Sequence, residues 1–190
     1  MKRAVILHGT SSHPSHNWQP WIKSELEKAG YEVFAPELPG NDAPDRKVYD
    51  DFLRTSGWDF TDNVLIGHSS GATTVLNLLS TDWLPHIRAA VLVGTFLDEM
   101  LLKDVDWYSE TQFSQLFPAE GFDTERIKQK VDNLYCIHGD EDPLCDFDTA
   151  RQFCQSVDGI FVPVKGAGHF SSPTTELPEI LSTLKQYNDL

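Results

Sequence analysis

The amino-acid sequence predicts an α/β fold in which helices cover both faces of a parallel sheet. Short apolar runs, typical of strands buried on both faces, alternate with amphipathic stretches along the chain. Parallel strands need crossover connections, and the amphipathic stretches supply them. A Gly-x-Ser-x-Gly motif stands where an apolar run passes into a helical pattern. Because 190 residues are enough for one well-filled core and few for two, we expect a single domain over residues 1–190.

Apolar runs predict about six strands. The first is followed by Gly9, and the third runs directly into the Gly-x-Ser-x-Gly motif. The last precedes a glycine-rich loop that contains His169. In chain order the predicted strands are residues 3–8, 31–35, 63–66, 89–93, 134–137 and 160–164.

Helical patterns fall between these strands. Asn17 is a candidate N-cap for the first helix, in which apolar residues recur at helical spacing until Gly30. A weakly patterned stretch at residues 48–55 comes next, and Ala72 to Leu79 carry the apolar face of a third helix. The remaining predicted helices are residues 123–130, 147–157 and 177–187.

The connection between the fourth and fifth strands, residues 95–133, is longer than a crossover requires. Several of its side chains are aromatic: Trp107, Tyr108, Phe113, Phe117 and Phe122. Such a segment either forms a small lid over a site or is held against the protein by its own aromatic side chains. The sequence leaves both interpretations open.

Composition restricts the partners of the chain. Its 15 basic and 29 acidic residues give a net charge of −14, which repels phosphate backbones and anionic lipid, so we expect neither nucleic acid nor membrane as a partner. The three cysteines form no Cys-x-x-Cys pair, which favours buried thiols in a reducing compartment. The apolar run near the N-terminus is too short for a signal peptide, and we expect a cytoplasmic protein.

The Gly-x-Ser-x-Gly motif, Gly67 to Gly71, predicts a nucleophile at Ser69. It follows an apolar strand and begins an amphipathic helix, which is the context of a nucleophile elbow. A sharp strand-to-helix turn exposes the hydroxyl, and small neighbours relieve the crowding that the turn creates. The helix N-terminus behind the serine favours a developing oxyanion.

A serine needs a base, and chain order restricts the choice. In α/β-hydrolases the acid and then the histidine follow the serine, which leaves His86, His138 and His169. His169 lies in a loop between the last strand and the last helix, at the carboxyl edge of the predicted sheet. We therefore predict that His169 is the general base.

The orienting acid is predicted in the turn after the fifth strand. Asp142 precedes Pro143 in this turn and is our first choice, because a Gly-x-x-Asp turn is typical of the acid loop in such hydrolases. Asp140 is its nearest rival, and Asp98, after the fourth strand, is a further candidate.

An acyl-transfer site also needs two backbone donors for the oxyanion. The amide of Ser70, directly after the nucleophile, is one candidate. The amide of Thr10, in the loop after the first strand, is the other, and Gly9 permits its close approach. The nearby His8, His13 and His16 lack a carboxylate partner and helical spacing, so we expect a polar rim rather than a metal site. No dinucleotide or P-loop motif is present, and we expect no cofactor.

Further motifs extend over the whole chain: His8-Gly9, His16-Asn17-Trp18-Gln19-Pro20-Trp21, Ile66-Gly67-His68-Ser69-Ser70-Gly71, Val91-Leu92-Val93, Asp140-Glu141-Asp142-Pro143 and Gly168-His169-Phe170. With these the sequence resembles the small hydrolase family of retinoblastoma-binding protein 9 and the bacterial YdeN-like proteins. The resemblance implies a six-stranded α/β-hydrolase with little or no cap, an open site, and a triad at Ser69, Asp142 and His169.

The function expected from the sequence is a serine hydrolase, foremost a carboxylesterase that cleaves small or medium acyl esters through an acyl-enzyme. Thioesterase, amidase and peptidase activities use the same machinery. A non-enzymatic protein-interaction role on a hydrolase fold is the alternative from another class. An L-x-C-x-E-type pocket motif, which would favour a protein partner, is absent from the sequence.

Overall fold

A parallel sheet of six strands forms the centre of the computed structural model, which describes residues 2–103, 105–109 and 111–190. The strands are Lys2–Leu7 (β1), Tyr31–Phe34 (β2), Val64–His68 (β3), Ile87–Val93 (β4), Val131–Gly139 (β5) and Ile160–Val164 (β6). Their order across the sheet is β2-β1-β3-β4-β5-β6, and each neighbouring pair is parallel. The predicted α/β fold class is thereby confirmed.

Helices cover both faces of this sheet. They are Gln19–Lys28 (α1), Arg46–Arg54 (α2), Ser70–Leu79 (α3), Thr124–Lys130 (α4), Phe147–Ser156 (α5) and Pro178–Gln186 (α6). Side chains of α2, α3, α4 and α5 share one buried cluster, and those of α1 and α6 share another. Along β1, Val5 and Leu7 belong to the first cluster while Ala4 and Ile6 belong to the second. This two-sided burial explains why the strands are continuous apolar runs.

The first helix begins later than the sequence predicts. Asn17 was expected to cap it, but Asn17 has a φ of 54°, and α1 starts at Gln19 after Trp18. Pro20 lies in the first turn, where its missing N–H costs no helical hydrogen bond. The fifth strand is longer than predicted: α4 passes into β5 without a loop, and the polar Asp132 and Asn133 obscured its beginning.

Residues 95–117, which we call the aromatic segment, leave the sheet after β4. Among its described residues, the segment contains one short 3-10 helix, Met100–Leu102. A small buried cluster holds the segment together, with members Phe96, Leu102, Phe113, Leu116 and Cys145. Polar contacts attach it to the rest of the protein: the Asn77 side chain donates to the Leu116 carbonyl at 2.9 Å, and Gln112 donates to the Asp42 carbonyl at 2.8 Å.

None of the helices that the described residues form has the length and apolar character needed to cross a bilayer.

Candidate active site

Ser69 lies between β3 and α3 in a backbone conformation that few L-residues adopt. Its φ of 55° and ψ of −123° fall outside the favoured regions, so the turn is strained. The flanking glycines are sterically required. A Cβ at Gly67 would lie 2.4 Å from the Gly71 carbonyl oxygen, and one at Gly71 would lie 2.3 Å from that of Leu7. The close approach of backbones therefore fixes the elbow.

Asp142 and His169 form a hydrogen-bonded pair. His169 Nδ1 lies 2.8 Å from Asp142 Oδ2, and the exposed fractions of the two side chains are 8% and 0%. The other carboxylate oxygen accepts hydrogen bonds from the amides of Leu144 and Cys145 at 2.9 and 3.0 Å. Asp142 lies directly after β5, and His169 lies in the loop between β6 and α6. This geometry leaves the Nε2 atom of the imidazole free for proton transfer.

The pKa of Asp142 reflects two opposing effects. Burial raises it, but the hydrogen bond and the charge of His169, together with the two amides, hold the pKa below its ordinary value. The carboxylate is therefore ionised at neutral pH and can stabilise a positively charged imidazole.

Ser69 and His169 line the same cavity, which has a volume of about 500 Å³. In the described part of the chain, the Ser69 hydroxyl makes no direct hydrogen bond to the imidazole. Catalytic hydrogen bonds are often long in ligand-free sites and shorten when substrate binds.

The rival residues serve other contacts. The Asp140 carboxylate accepts a hydrogen bond from the Gly166 amide at 2.6 Å and so joins the acid loop to the loop of His169. Asp98 accepts from the Met100 amide at 2.9 Å. His86 is exposed, 3.7 Å from Asp132, and away from the cavity lining. The geometry thus favours Asp142 and His169 over the other candidates.

Thr10 and Ser70 lie next to each other beside the nucleophile. The Thr10 hydroxyl donates to the Ser70 hydroxyl at 2.8 Å and connects the loop after β1 to the elbow. A Cβ on Gly9 would lie 3.1 Å from Ser69 Cβ, so this loop approaches the nucleophile closely. Neither backbone amide of Thr10 and Ser70 donates a hydrogen bond to any residue that the structure describes. Both N–H groups are therefore available for an oxyanion.

Three fully buried histidines support the loops of the site, and the sequence did not predict their contacts. His68 Nε2 lies 2.7 Å from the carbonyl oxygen of His169, and His138 Nε2 lies 3.0 Å from that of Cys145. Because carbonyl oxygens only accept, each Nε2 carries the proton. His8, expected at a polar rim, is instead 0% exposed: its Nδ1 donates to the Gly9 carbonyl, and its Nε2 accepts from the Leu38 amide.

Burial keeps these three imidazoles neutral. Burial, and after it the charge of the neighbouring His169, lower the pKa of His68 to about 3. Burial likewise lowers the pKa of His8 and of His138, although in each a hydrogen bond to a backbone carbonyl acts in the opposite direction. A neutral imidazole can keep one tautomer, so the hydrogen bonds by which these histidines hold the neighbouring loops have a fixed direction.

Two kinds of side chain line the cavity. The polar ones are Thr10, Ser11, Ser12, Asn17, Gln112 and Ser171. The apolar ones, which we call the apolar wall, are Phe96, Leu102, Trp107, Phe113 and Leu144. Four of these apolar side chains belong to the aromatic segment, which therefore both packs on itself and forms part of the site. The lid interpretation anticipated that this segment covers a site, but no periodicity in the sequence identified which of its side chains line the cavity.

Among the described residues one group of side chains has metal-ligand geometry. Donor atoms of Asp142, Cys145 and His169 lie within 4.8 Å of one another. The carboxylate and imidazole are already hydrogen-bonded, and burial followed by the negative charge of Asp142 raises the pKa of the Cys145 thiol. A protonated thiol is a poor ligand, so the donor set suits an acid–base pair better than a metal ion.

A strained serine after β3 and an acid–histidine pair after β5 and β6, on a six-stranded parallel sheet, define an α/β-hydrolase. The family model described as serine hydrolase matches residues 4–186. The chain belongs to the serine hydrolase family.

Relatives and solved structures agree with this assignment. The chain is 23% identical to the YdeN protein of Bacillus subtilis (strain 168), over 98% of this chain and 96% of YdeN. The crystal structure of the ydeN gene product superposes with a TM-score of 0.85 and covers 100% of both chains at 21% identity. Serine hydrolase RBBP9 of Rattus norvegicus is 23% identical over 96% of this chain and 94% of its own length.

A solved structure outside these relatives shares the fold. Est1E of Butyrivibrio proteoclasticus, with ferulic acid bound, has a TM-score of 0.69 at 16% identity and covers 99% of this chain and 88% of its own.

Proposed function

We propose that this serine hydrolase is a carboxylesterase that cleaves small or medium acyl esters through an acyl-enzyme. One observation carries the proposal: the Asp142–His169 pair, joined at 2.8 Å, shares a cavity with the strained Ser69. Nucleophile, base and orienting acid are the three parts that acyl transfer by serine requires.

Acylation follows from this geometry. Ser69 Oγ attacks the carbonyl carbon of the ester while His169 Nε2 takes the hydroxyl proton, and Asp142 stabilises the imidazolium. The amides of Thr10 and Ser70 hold the oxyanion. The intermediate then collapses, the ester C–O bond breaks, and the imidazolium gives its proton to the departing alcohol.

Deacylation repeats these steps with water as the nucleophile in place of Ser69. His169 takes a proton from water as the oxygen attacks the acyl carbon, and the proton returns to Ser69 Oγ as the free acid leaves. Thioesters, amides and peptides use the same steps. Amides and peptides make a larger demand on His169 as an acid than esters do, because an amide anion is a far poorer leaving group than an alkoxide.

Membership of the serine hydrolase family, which includes serine hydrolase RBBP9 of Rattus norvegicus, supports this mechanism. The ferulic acid in Est1E supports a carboxylic acid product in a site of this fold. We also propose a cytoplasmic location and a small-molecule ester as partner. The three free and buried cysteines suit a reducing compartment, and cell fractionation tests the location.

The proposal is tested with p-nitrophenyl acetate and butyrate in stopped flow. We expect a burst of p-nitrophenol equal to the enzyme concentration, which reports an accumulating acyl-enzyme. Ser69→Ala abolishes the burst, whereas Ser182→Ala, which removes an exposed hydroxyl on α6, retains it. Hydrolysis by Ser69→Ala at the wild-type rate would contradict the proposal.

A further inference from the structure

Most of the exposed large apolar side chains among the described residues belong to the aromatic segment, which also lines the cavity. In the described part of the chain the large apolar side chains that are exposed are Val48, Met100, Leu101, Trp107 and Tyr187. Three of these five lie within the aromatic segment. Clustered exposure of this kind marks surface that a ligand or partner covers, whereas scattered exposure is normal.

Trp107 links this surface to the cavity. Its side chain lines the cavity and yet is 55% exposed, so much of the indole remains open to solvent. Behind it, Phe96 and Phe113 are 3% exposed and contact each other edge to face, with ring centroids 4.9 Å apart. The apolar wall is thus fixed at its base and open at its rim, and a ligand that covers Trp107 gains hydrophobic free energy.

Polar side chains also line the cavity, and one of them lacks a partner. Ser12 Oγ is buried and has no hydrogen-bond partner among the described residues, while the Asn41 side chain donates a hydrogen bond to the Ser12 carbonyl at 3.0 Å. A buried hydroxyl without a partner is unfavourable, and a polar substrate group can supply the missing hydrogen bond. Ser171, two residues after His169, also lines the cavity.

The cavity lining suits an apolar acyl group. His169 must protonate the leaving oxygen, so the leaving alcohol lies next to His169. Phe96, Trp107 and Phe113 line the same cavity and offer the acyl group an apolar surface. The cavity of about 500 Å³ accommodates one small molecule with both halves of the ester.

We propose that the substrates are esters of an apolar acid, with an aryl or medium-chain acyl group against Trp107. This inference rests on the proposed function and deepens it. Trp107 is the specificity-determining residue at the rim, and the buried aromatic rings behind it set the depth of the acyl site.

The test compares p-nitrophenyl esters of acetic, butyric, hexanoic and 3-phenylpropanoic acids with a constant leaving group. Each methylene that leaves water is worth roughly a fourfold gain in kcat/KM, so we expect hexanoate and 3-phenylpropanoate to exceed acetate by at least roughly 30-fold. Trp107→Ala lowers this ratio by about tenfold, and Trp107→Phe retains most of it. Val48→Ala, at an exposed apolar residue on α2 outside the cavity, leaves the ratio unchanged.

A flat acyl-chain profile in the wild-type protein, or an equal effect of Val48→Ala, would overturn the inference. A rate increase seen only above the critical micelle concentration would also overturn it, because the apolar rim would then dock on a lipid surface. If Ser69-dependent acetate hydrolysis persists in these cases, the esterase proposal stands and only the acyl preference fails. If no ester is hydrolysed, the proposed function itself fails.

Discussion

The two sides of the candidate active site are built in different ways. The sheet edge, where β1, β3, β5 and β6 end, holds the elbow and the loops of Thr10, Asp142 and His169 through close backbone approach and buried hydrogen bonds. The aromatic segment instead packs around a small cluster of its own and exposes Trp107 to solvent. Catalysis needs fixed distances between reacting groups, whereas substrate binding tolerates adaptable apolar contacts. The sheet edge is therefore suited to catalysis and the aromatic segment to substrate binding.

The sheet edge owes its precision to contacts between segments distant in sequence. His68 in the elbow donates to the carbonyl of His169, and these residues are 101 positions apart. Thr10 and Ser70 are 60 positions apart, and the distance between their hydroxyl oxygens is 2.8 Å. The aromatic segment makes its tightest ring contact within itself, between Phe96 and Phe113. We therefore expect mutations at the sheet edge to lower kcat and mutations in the aromatic segment to change acyl preference.

The largest effect is expected for Asp142→Asn. The amide cannot hold the imidazole tautomer or stabilise its positive charge, so kcat for p-nitrophenyl acetate falls by about 10³- to 10⁴-fold. Asp140→Asn is the matched control, since its remaining oxygen still accepts from the Gly166 amide. Equal losses of kcat in the two variants would show that Asp142 is wrongly assigned as the orienting acid. The contrast between the sheet edge and the aromatic segment would then be weaker.

The second effect concerns stability against pH. Because the pKa of folded His68 is about 3 and that of an unfolded histidine is near 6.5, the unfolded chain binds a proton that the folded chain does not over this interval. Stability therefore falls as pH falls from about 6.5 towards 3. His68→Gln removes this proton, and urea unfolding at several pH values should show a slope smaller by about 1.4 kcal/mol per pH unit.

His68→Gln and His68→Phe together sharpen this result. Both variants lose the titration, but only glutamine retains an N–H donor for the His169 carbonyl. Retained kcat in His68→Gln with a loss in His68→Phe identifies His68 as a positioning residue. An unchanged slope in both variants would contradict the buried, neutral imidazole.

A smaller effect is expected for Thr10→Val. Valine keeps the backbone amide but removes the hydroxyl that bonds Ser70, so the oxyanion donors are held less firmly. One hydrogen bond is worth about 1 kcal/mol, which predicts roughly a fivefold fall in kcat with little change in KM. Thr10→Ser should restore the rate. A rise in KM alone would indicate that the hydroxyl serves substrate binding instead.

Sequence reasoning was successful where the signal is local. The strand-to-helix context predicted the elbow at Ser69, and chain order with loop position predicted Asp142 and His169, which the structure brings into one hydrogen-bonded pair. The catalytic roles of these residues stay predictions. Asn17 was wrong as a helix cap, because it lies with a left-handed backbone inside the turn between His16 and Gln19, and Trp18 takes the N-cap position.

The features of the site that were not predicted depend on contacts between distant segments, and no periodicity in the sequence indicates such contacts. The burial of His8 and its bond to the Leu38 amide require two loops to meet, which the sequence near His8 does not signal. The sequence offered the aromatic segment as a lid but did not identify Phe96 as part of the lining, because Phe96 and Phe113 meet only when the segment folds back on itself. The lid and packing interpretations were therefore not exclusive: the segment is packed at its base and lines the cavity at Trp107.

Activation of the Ser69 hydroxyl as a nucleophile is the property on which the proposed function depends. It is tested most directly by labelling the wild-type protein with a fluorophosphonate and mapping the adduct by peptide mass spectrometry, with Ser69→Ala and His169→Ala beside it. We expect one adduct on Ser69 in the wild type, none in Ser69→Ala, and labelling slowed by orders of magnitude in His169→Ala. A folded wild-type protein that remains unlabelled, or an adduct on another serine, would contradict the account.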